Sequence, residues 1–289
     1  MKQAKKLIRK NWILACILAV LILSLAIYIP IKIQQNHKEN KPSKSIADVE
    51  ASEITAAPDV RSEVAVPILM YHHIRNYNDP KDTIGTNLSV PPENFKAQID
   101  YLKSSGYTTI TFSDFLAFPA KKLPDKPIIL TFDDGYNDAF GSAYFPLKQN
   151  GQVGVFYIIS GFLGRPEHLT VLQVGEMSTG GMEIGSHTID HPDLTKINPD
   201  KFNKELIDSK VALEAITGKP VTSFCYPAGQ NNASVDAAVK NAGYLSATTT
   251  YMAISNTTES KFTLSRLRIN PTDSITFFAD KIVNYKHKP

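Results

Sequence analysis

Eight short apolar runs constrain this 289-residue chain more than any other feature of its sequence. They read VPILMY (66–71), TTITF (108–112), PIILTF (127–132), VGVFYII (153–159), MEIGS (182–186), VTSFCY (221–226), YLSATTT (244–250) and LSRLRI (264–269). Each has strand length, and helical patterns fall between several of them. PPENFKAQIDYLKSSGY sets Phe95, Ile99 and Leu102 at spacings of four and three, opens on prolines and stops at Gly106. NPDKFNKELIDSKVALEAITGK and ASVDAAVKNAGY repeat that design. Apolar strands alternating with amphipathic helices predict an α/β domain on a parallel sheet. About eight strands in ~220 residues suit closure into a (β/α) barrel, whose working residues sit at the carboxyl ends of strands.

The first 64 residues lack this pattern. A basic flank, MKQAKKLIRKN (1–11), precedes WILACILAVLILSLAIYIPI (12–31). An apolar run of ~20 residues is long enough to cross a bilayer as a helix, and no small-x-small cleavage site follows it. This predicts an uncleaved transmembrane signal anchor at 12–31, with 1–11 cytoplasmic and the remainder outside. A cleaved segment would instead leave the protein secreted. The stretch ILAC precedes the apolar core, where a lipoprotein box would follow it. Residues 32–64 are polar without an apolar period and predict a flexible linker, leaving 65–289 as the globular domain. The formal charge of +3 resides in the N-terminal segment, and the globular part is near neutral. Such balance excludes a nucleic-acid surface, and a monomer is expected. Two cysteines, Cys16 and Cys225, provide neither a disulfide framework nor a thiolate zinc site.

Asp133 and Asp134 close the run PIILTF, so two adjacent carboxylates stand at the end of a buried strand. Neighbouring anions repel, and a cation is the simplest remedy. His187 and His191 follow the run MEIGS. Their three-residue separation is a metal-ligand spacing. Pro192 disfavours a regular helix at His191, and no Glu sits beside the first His, so a zincin protease is excluded. Two imidazoles and one carboxylate make a three-ligand divalent-metal site with a position open for water. One aspartate can then ligate while the other takes a proton from water whose pKa the metal lowers from about 15.7 to ~7.

TFDDG and SHTIDH resemble the first two motifs of the polysaccharide deacetylase family, carbohydrate esterase family four with its NodB homology domain. The resemblance spans roughly residues 66–270 and implies a distorted (β/α) barrel that removes N- or O-acetyl groups from sugars. It implies Asp133 as general base, with Asp134, His187 and His191 as ligands of one divalent metal ion, zinc first and nickel, cobalt or manganese as alternatives. In the third motif SFCYPAGQ carries Cys225 where the family has arginine and Ala228 where it has tyrosine. Ala228 still offers a main-chain N–H to an oxyanion, and Tyr226 is implied beside it at the oxyanion and substrate position. A branch that includes secreted poly-N-acetylglucosamine deacetylases is similar in this motif and carries a later arginine. This makes Arg266 the residue that orients Asp133, with Arg268 as the alternative. The usual late histidine acid is missing, which leaves protonated Asp133 or His72 to protonate the leaving amine. The expectation is a membrane-anchored, extracytoplasmic hydrolase acting on an N-acetylated polysaccharide; the rival is a glycan-binding protein on a degenerate enzyme fold. Peptidoglycan, poly-N-acetylglucosamine, chitin oligomers and acetylated xylan stay open as substrates.

Overall fold

The computed structural model describes residues 63–285. The eight apolar runs supply eight strands of one sheet: β1 (Ile68–Tyr71), β2 (Thr108–Thr109), β3 (Pro127–Phe132), β4 (Val155–Ile158), β5 (Glu183–Ser186), β6 (Ser223–Cys225), β7 (Ser246–Thr248) and β8 (Leu267–Arg268). Every pairing among them is parallel, in the order β7-β6-β5-β4-β3-β1-β8, and β2 joins the beginning of β3. The sheet curls. Thr248 at one edge bridges Leu264, which leads into β8 at the other edge. Helices α1 (Pro92–Ser104), α2 (Phe112–Ala117), α3 (Phe145–Asn150), α4 (Val171–Thr179), α5 (Ser209–Thr217), α6 (Ala233–Asn241) and α7 (Ile275–Asn284) cover it.

Side chains on successive strand residues point to opposite faces, and two buried clusters follow that period. Leu69, Tyr71, Leu130, Phe132, Phe156 and Phe224 belong to one cluster with the helix residues Phe95, Ile99 and Leu102. Ile68, Ile129, Val155, Tyr157 and Cys225 belong to a second, within the curl. Full burial of one large apolar side chain is worth about 1.5–3 kcal/mol, so the helix-facing layer is the main source of cohesion. The inward series 129, 131, 133 along β3 carries Asp133 to the carboxyl end of the second cluster.

Most strands are shorter than their apolar runs, LSRLRI pairing only at Leu267–Arg268, and two departures have an identifiable local cause. TTITF pairs only at Thr108–Thr109, because Thr111 and Asp114 form a reciprocal capping box that starts α2 at Phe112. The helix predicted across NPDKFNKELIDSKVALEAITGK passes through a π turn at Lys204–Asp208. The expected basic flank (1–11), the membrane segment (12–31) and nearly all of the linker lie outside the described residues. Among the described residues no helix is long and apolar enough to cross a membrane.

Gly185 on β5 faces the curl, where a Cβ would lie 2.5 Å from the Tyr157 ring and 2.8 Å from Ser223 Oγ. Overpacking of this kind costs about 1–3 kcal/mol. Gly185→Ala is expected to lower the urea midpoint by that equivalent at unchanged slope. An unchanged midpoint would show that the interior has slack.

Candidate active site

Asp133 continues the β3 ladder, donating its N–H to Tyr71 O at 3.0 Å. Asp134 then turns left-handed at φ 70, and Gly135 follows at φ 72. This abrupt change separates two neighbouring carboxylates that would otherwise repel. Asp133 faces the curl; Asp134 faces the loop after β5.

Asp133 meets Arg266, which enters from the residue before β8. Arg266 Nη1 donates to Asp133 Oδ1 at 2.7 Å and Nη2 to Oδ2 at 2.8 Å. The other donors reach Thr131 Oγ1 at 3.0 Å, Cys225 Sγ at 3.2 Å and, from Nε, Thr249 O at 2.8 Å. All five guanidinium N–H groups therefore have acceptors, as burial of a charge demands. Burial opposes ionisation of Asp133, yet the Arg266 charge holds its carboxyl below the usual aspartate range. His72 Nε2 lies 3.9 Å from Asp133 Oδ2. Burial keeps that imidazole's pKa below its ordinary value against the pull of Asp133 and Asp134.

The second half of the site gathers Asp134, His187 and His191, whose ligand atoms lie within 4.8 Å of one another. Asp134 Oδ1 is 3.4 Å from His187 Nε2 and 3.6 Å from His191 Nε2. His187 Nδ1 donates to Cys225 O at 2.7 Å, which in the neutral ring leaves the Nε2 lone pair directed at Asp134. Metal-binding imidazoles are normally oriented by such a bond, so this donor set fits one divalent cation. A second cluster, Asp133, His187 and Cys225, is equally compact. It fits poorly, because Arg266 already holds Asp133 and places a guanidinium on the sulfur.

The loop carrying the histidines is not helical, in keeping with Pro192. Thr188 and His191 adopt φ values of 68 and 57. Glu205, in the π turn, accepts from Ile189 N at 2.8 Å and Asp190 N at 3.2 Å, while Thr188 Oγ1 accepts from His191 N at 2.9 Å. Gly161 passes so close that a Cβ would meet Ile189 O at 2.6 Å.

Ala228 is exposed at φ 52, ψ 16 within the turn Pro227–Gly229. Tyr226 is placed otherwise than expected. It is buried, its hydroxyl donates to Phe262 O at 3.0 Å and its N–H to Thr248 O. The cause is strand parity: Cys225 faces inward, so Tyr226 faces the helix-side core, and neither of its polar groups is free for a substrate. Arg268 shares the inward parity of Arg266, but the carboxylate pairs with Arg266. Thr131, Thr249 and Glu205 were missed in the sequence, and Cys225 was noted there only for its motif position, without a role. Of the three, only Thr131 left a signal, two residues before Asp133 on the same strand face.

Comparison with known proteins agrees with this architecture. A family model described as polysaccharide deacetylase matches residues 120–247. YxkH of Bacillus subtilis (strain 168), whose name places it among polysaccharide deacetylases, is 31% identical over 253 residues, covering 86% of this chain and 88% of its own. A poly-beta-1,6-N-acetyl-D-glucosamine N-deacetylase of Staphylococcus aureus (strain MRSA252) is 26% identical, over 78% of this chain and 83% of its own. Among solved structures, the Streptococcus pyogenes deacetylase PplD in complex with acetate superposes with a TM-score of 0.71 at 30% identity, over 76% of this chain and 99% of that one. BC0361, a polysaccharide deacetylase from Bacillus cereus, gives 0.69 at 34% identity, over 76% and 69%. The chain belongs to the polysaccharide deacetylase family and is an enzyme of that class.

Truncating Arg266 leaves Asp133 buried and unpaired, a loss typically of about 3–5 kcal/mol. Arg266→Ala is expected to fall in that range at pH 7 in urea unfolding. Because the folded Asp133 pKa is depressed, the pair's contribution is complete above the unfolded pKa. It is lost as pH falls through the folded one. Without the guanidinium, burial raises the Asp133 pKa above the ordinary aspartate range, so protonation relieves the variant before it touches wild type. The stability gap between wild type and Arg266→Ala should therefore be widest near neutral pH and narrow as pH falls toward the ordinary aspartate range; a gap that stays constant over that interval would contradict this.

Proposed function

We propose that this protein is a metal-dependent deacetylase that hydrolyses N-acetyl groups, and by the same chemistry O-acetyl groups, on an extracytoplasmic polysaccharide. One observation carries the reading: a carboxylate held by a buried arginine stands beside a carboxylate–imidazole–imidazole triad at one mouth of the sheet. Asp134, His187 and His191 would hold the cation, zinc first and nickel, cobalt or manganese as alternatives. When bound, a divalent ion supplies Lewis acidity that polarises the acetyl carbonyl and acidifies water.

The chain's own residues supply the rest. Arg266 occupies one face of Asp133 and keeps it anionic, so an outward lone pair accepts the proton of the attacking water. The Ala228 N–H donates to the oxygen of the acetyl group as charge develops there. The C–N bond breaks, and the proton taken up by Asp133 returns to the leaving nitrogen, giving acetate and a free amine. His72, within reach of Asp133 and uncharged, is the alternative carrier of that proton. The glycan-binding alternative is not favoured: a pure binder has no need of a base and its guanidinium partner in this arrangement.

The sugar is proposed to be an N-acetylglucosamine polymer, on the strength of the Staphylococcus aureus relative's name. The location outside the membrane rests on the basic flank and apolar run of residues 1–31, and a monomer suffices for the site.

Acetate release from poly-N-acetylglucosamine, peptidoglycan, chitin oligomers and acetylated xylan tests the substrate. No release from any of them, with metal supplied, would overturn the reading. Asp133→Asn is expected to keep its metal and lose 10²–10⁴-fold in kcat, the usual scale for a general base. Asp134→Asn, His187→Ala and His191→Ala should lose metal instead, with added metal partly restoring the Asp134→Asn rate. Metal content measured beside kcat decides; metal lost from Asp133→Asn and retained by Asp134→Asn would reverse the two roles.

A further inference from the structure

Tyr251 is an exposed ring that the structure nonetheless holds in place. Its relative exposure is 57%, so it adds little to the core, whereas Tyr71, Tyr144, Tyr157, Tyr226 and Tyr244 are fully buried. The other well-exposed aromatic rings among the described residues, Phe145 and Phe277, stand on helices α3 and α7. Tyr251 instead follows the carboxyl end of β7, the end of the sheet where the site lies.

Its anchoring runs through a chain of polar contacts. Asp236, in the first turn of α6, accepts from Asn231 Nδ2 at 2.9 and 3.2 Å. That fixes the Asn231 amide with its oxygen free, and Asn231 Oδ1 accepts from the Tyr251 hydroxyl at 3.3 Å. The Tyr251 main chain is tied as firmly: its N–H donates to Thr249 Oγ1 at 3.2 Å and its carbonyl accepts from Arg266 N at 2.8 Å. The preceding residue, Thr250, reaches Ala228 O at 3.4 Å and lies where a Cβ on Gly229 would fall. The phenol thus spans from residue 251 to residue 231, flanking the turn that presents Ala228.

We infer that Tyr251 is a glycan-binding residue, stacking its ring against the C–H face of a pyranose in the polymer that presents its acetyl group at Ala228. Aromatic rings offer large apolar area at low conformational cost, with a polar tip for orientation. Holding such a ring in its bound position before substrate arrives lowers the cost of association. A hydrogen bond to Asn231 stabilises an exposed phenol only marginally, so core stability gives no reason for the arrangement. The inference rests on the deacetylase reading above and adds the residue that grips the chain beyond the reacting sugar.

Steady-state kinetics on a soluble β-1,6-linked N-acetylglucosamine oligomer tests it, with a small aryl acetate as the control substrate that has no pyranose. Tyr251→Ala is expected to raise KM for the oligomer about tenfold while kcat changes less than twofold. Tyr251→Phe, which keeps the ring and loses its anchor, should raise KM two- to threefold. The aryl acetate kcat/KM should change less than twofold in both. An unchanged oligomer KM in Tyr251→Ala overturns the inference. So does an equal loss on the aryl acetate, which would make the ring a brace for the Ala228 turn. A wild-type chain without acetyl-releasing activity would sink the deacetylase reading alone. Binding of the same oligomer to Asp133→Asn and to Asp133→Asn/Tyr251→Ala, by calorimetry, then decides the ring separately. Tenfold weaker binding in the double variant supports it, and equal binding refutes it.

Discussion

A buried guanidinium sets the terms for the rest of this molecule. Arg266 is fully enclosed, and a charge removed from water is tolerated only when every donor is answered. Its acceptors are four residues on three segments: Thr131 and Asp133 at β3, Cys225 at β6 and Thr249 just after β7. These segments are remote in sequence and must all be in register before Arg266 can be buried. A one-residue slip of any of those strands would turn its contribution to the helix side. The same contacts that make the charge tolerable fix the orientation of Asp133, so closure of the sheet and alignment of the base are one event.

The strands were legible because buried parallel strands read as short apolar runs with little to confuse them. The aspartates and histidines were legible for the opposite reason: charge at the end of an apolar run contradicts burial, and such contradictions gather at functional sites. Choosing between Arg266 and Arg268 was not feasible from sequence. The two share a face, and the register sets Arg268 beside Met70 and Thr131, so Arg266 starts deeper than Asp133 and reaches it only through the length of its side chain. Tyr226 could have been placed by parity, since an inward Cys225 forces its neighbour outward; motif position suggested otherwise. Glu205 left no trace, because its role depends on a π turn that brings a helix carboxylate to a loop about fifteen residues earlier. Residues 1–62, on which the membrane anchor was expected, lie outside the described structure.

Local strain is concentrated where the chemistry is assigned. Among the described residues, five other than glycine have positive φ: Asp134, Glu167, Thr188, His191 and Ala228. Four of them belong to the aspartate turn, the histidine loop or the turn that offers a main-chain N–H. Such conformations cost on the order of 1–3 kcal/mol each and persist only where surroundings over-determine them. Here the surroundings are visible: Glu205 and Thr188 on the histidine loop, and Thr250 against Gly229 and Ala228. The gain is directional. A strand alternates its side chains between two faces, whereas a left-handed residue redirects the next group at once. Two adjacent aspartates can thereby serve two different partners.

Those partners differ in kind, and the difference orders the assembly of the site. Asp133 has a cation of the protein's own, present as soon as the sheet closes, so its ionisation needs nothing from outside. Asp134 is surrounded by imidazoles. The Nε2 atom of each can carry a proton or ligate a metal, but not both at once. A proton there gives Asp134 a cation at the expense of the ligand set; a metal ion gives it a cation and completes that set. Cys225 joins the two halves, because its carbonyl accepts from His187 Nδ1 while its sulfur accepts from Arg266. The residue that stands in place of the family's arginine therefore orients a metal-capable imidazole with its main chain and completes the guanidinium's acceptors with its side chain. An arginine at position 225 would meet the Arg266 charge already lodged against it, so the guanidinium entering just before β8 and the small, neutral residue on β6 depend on each other.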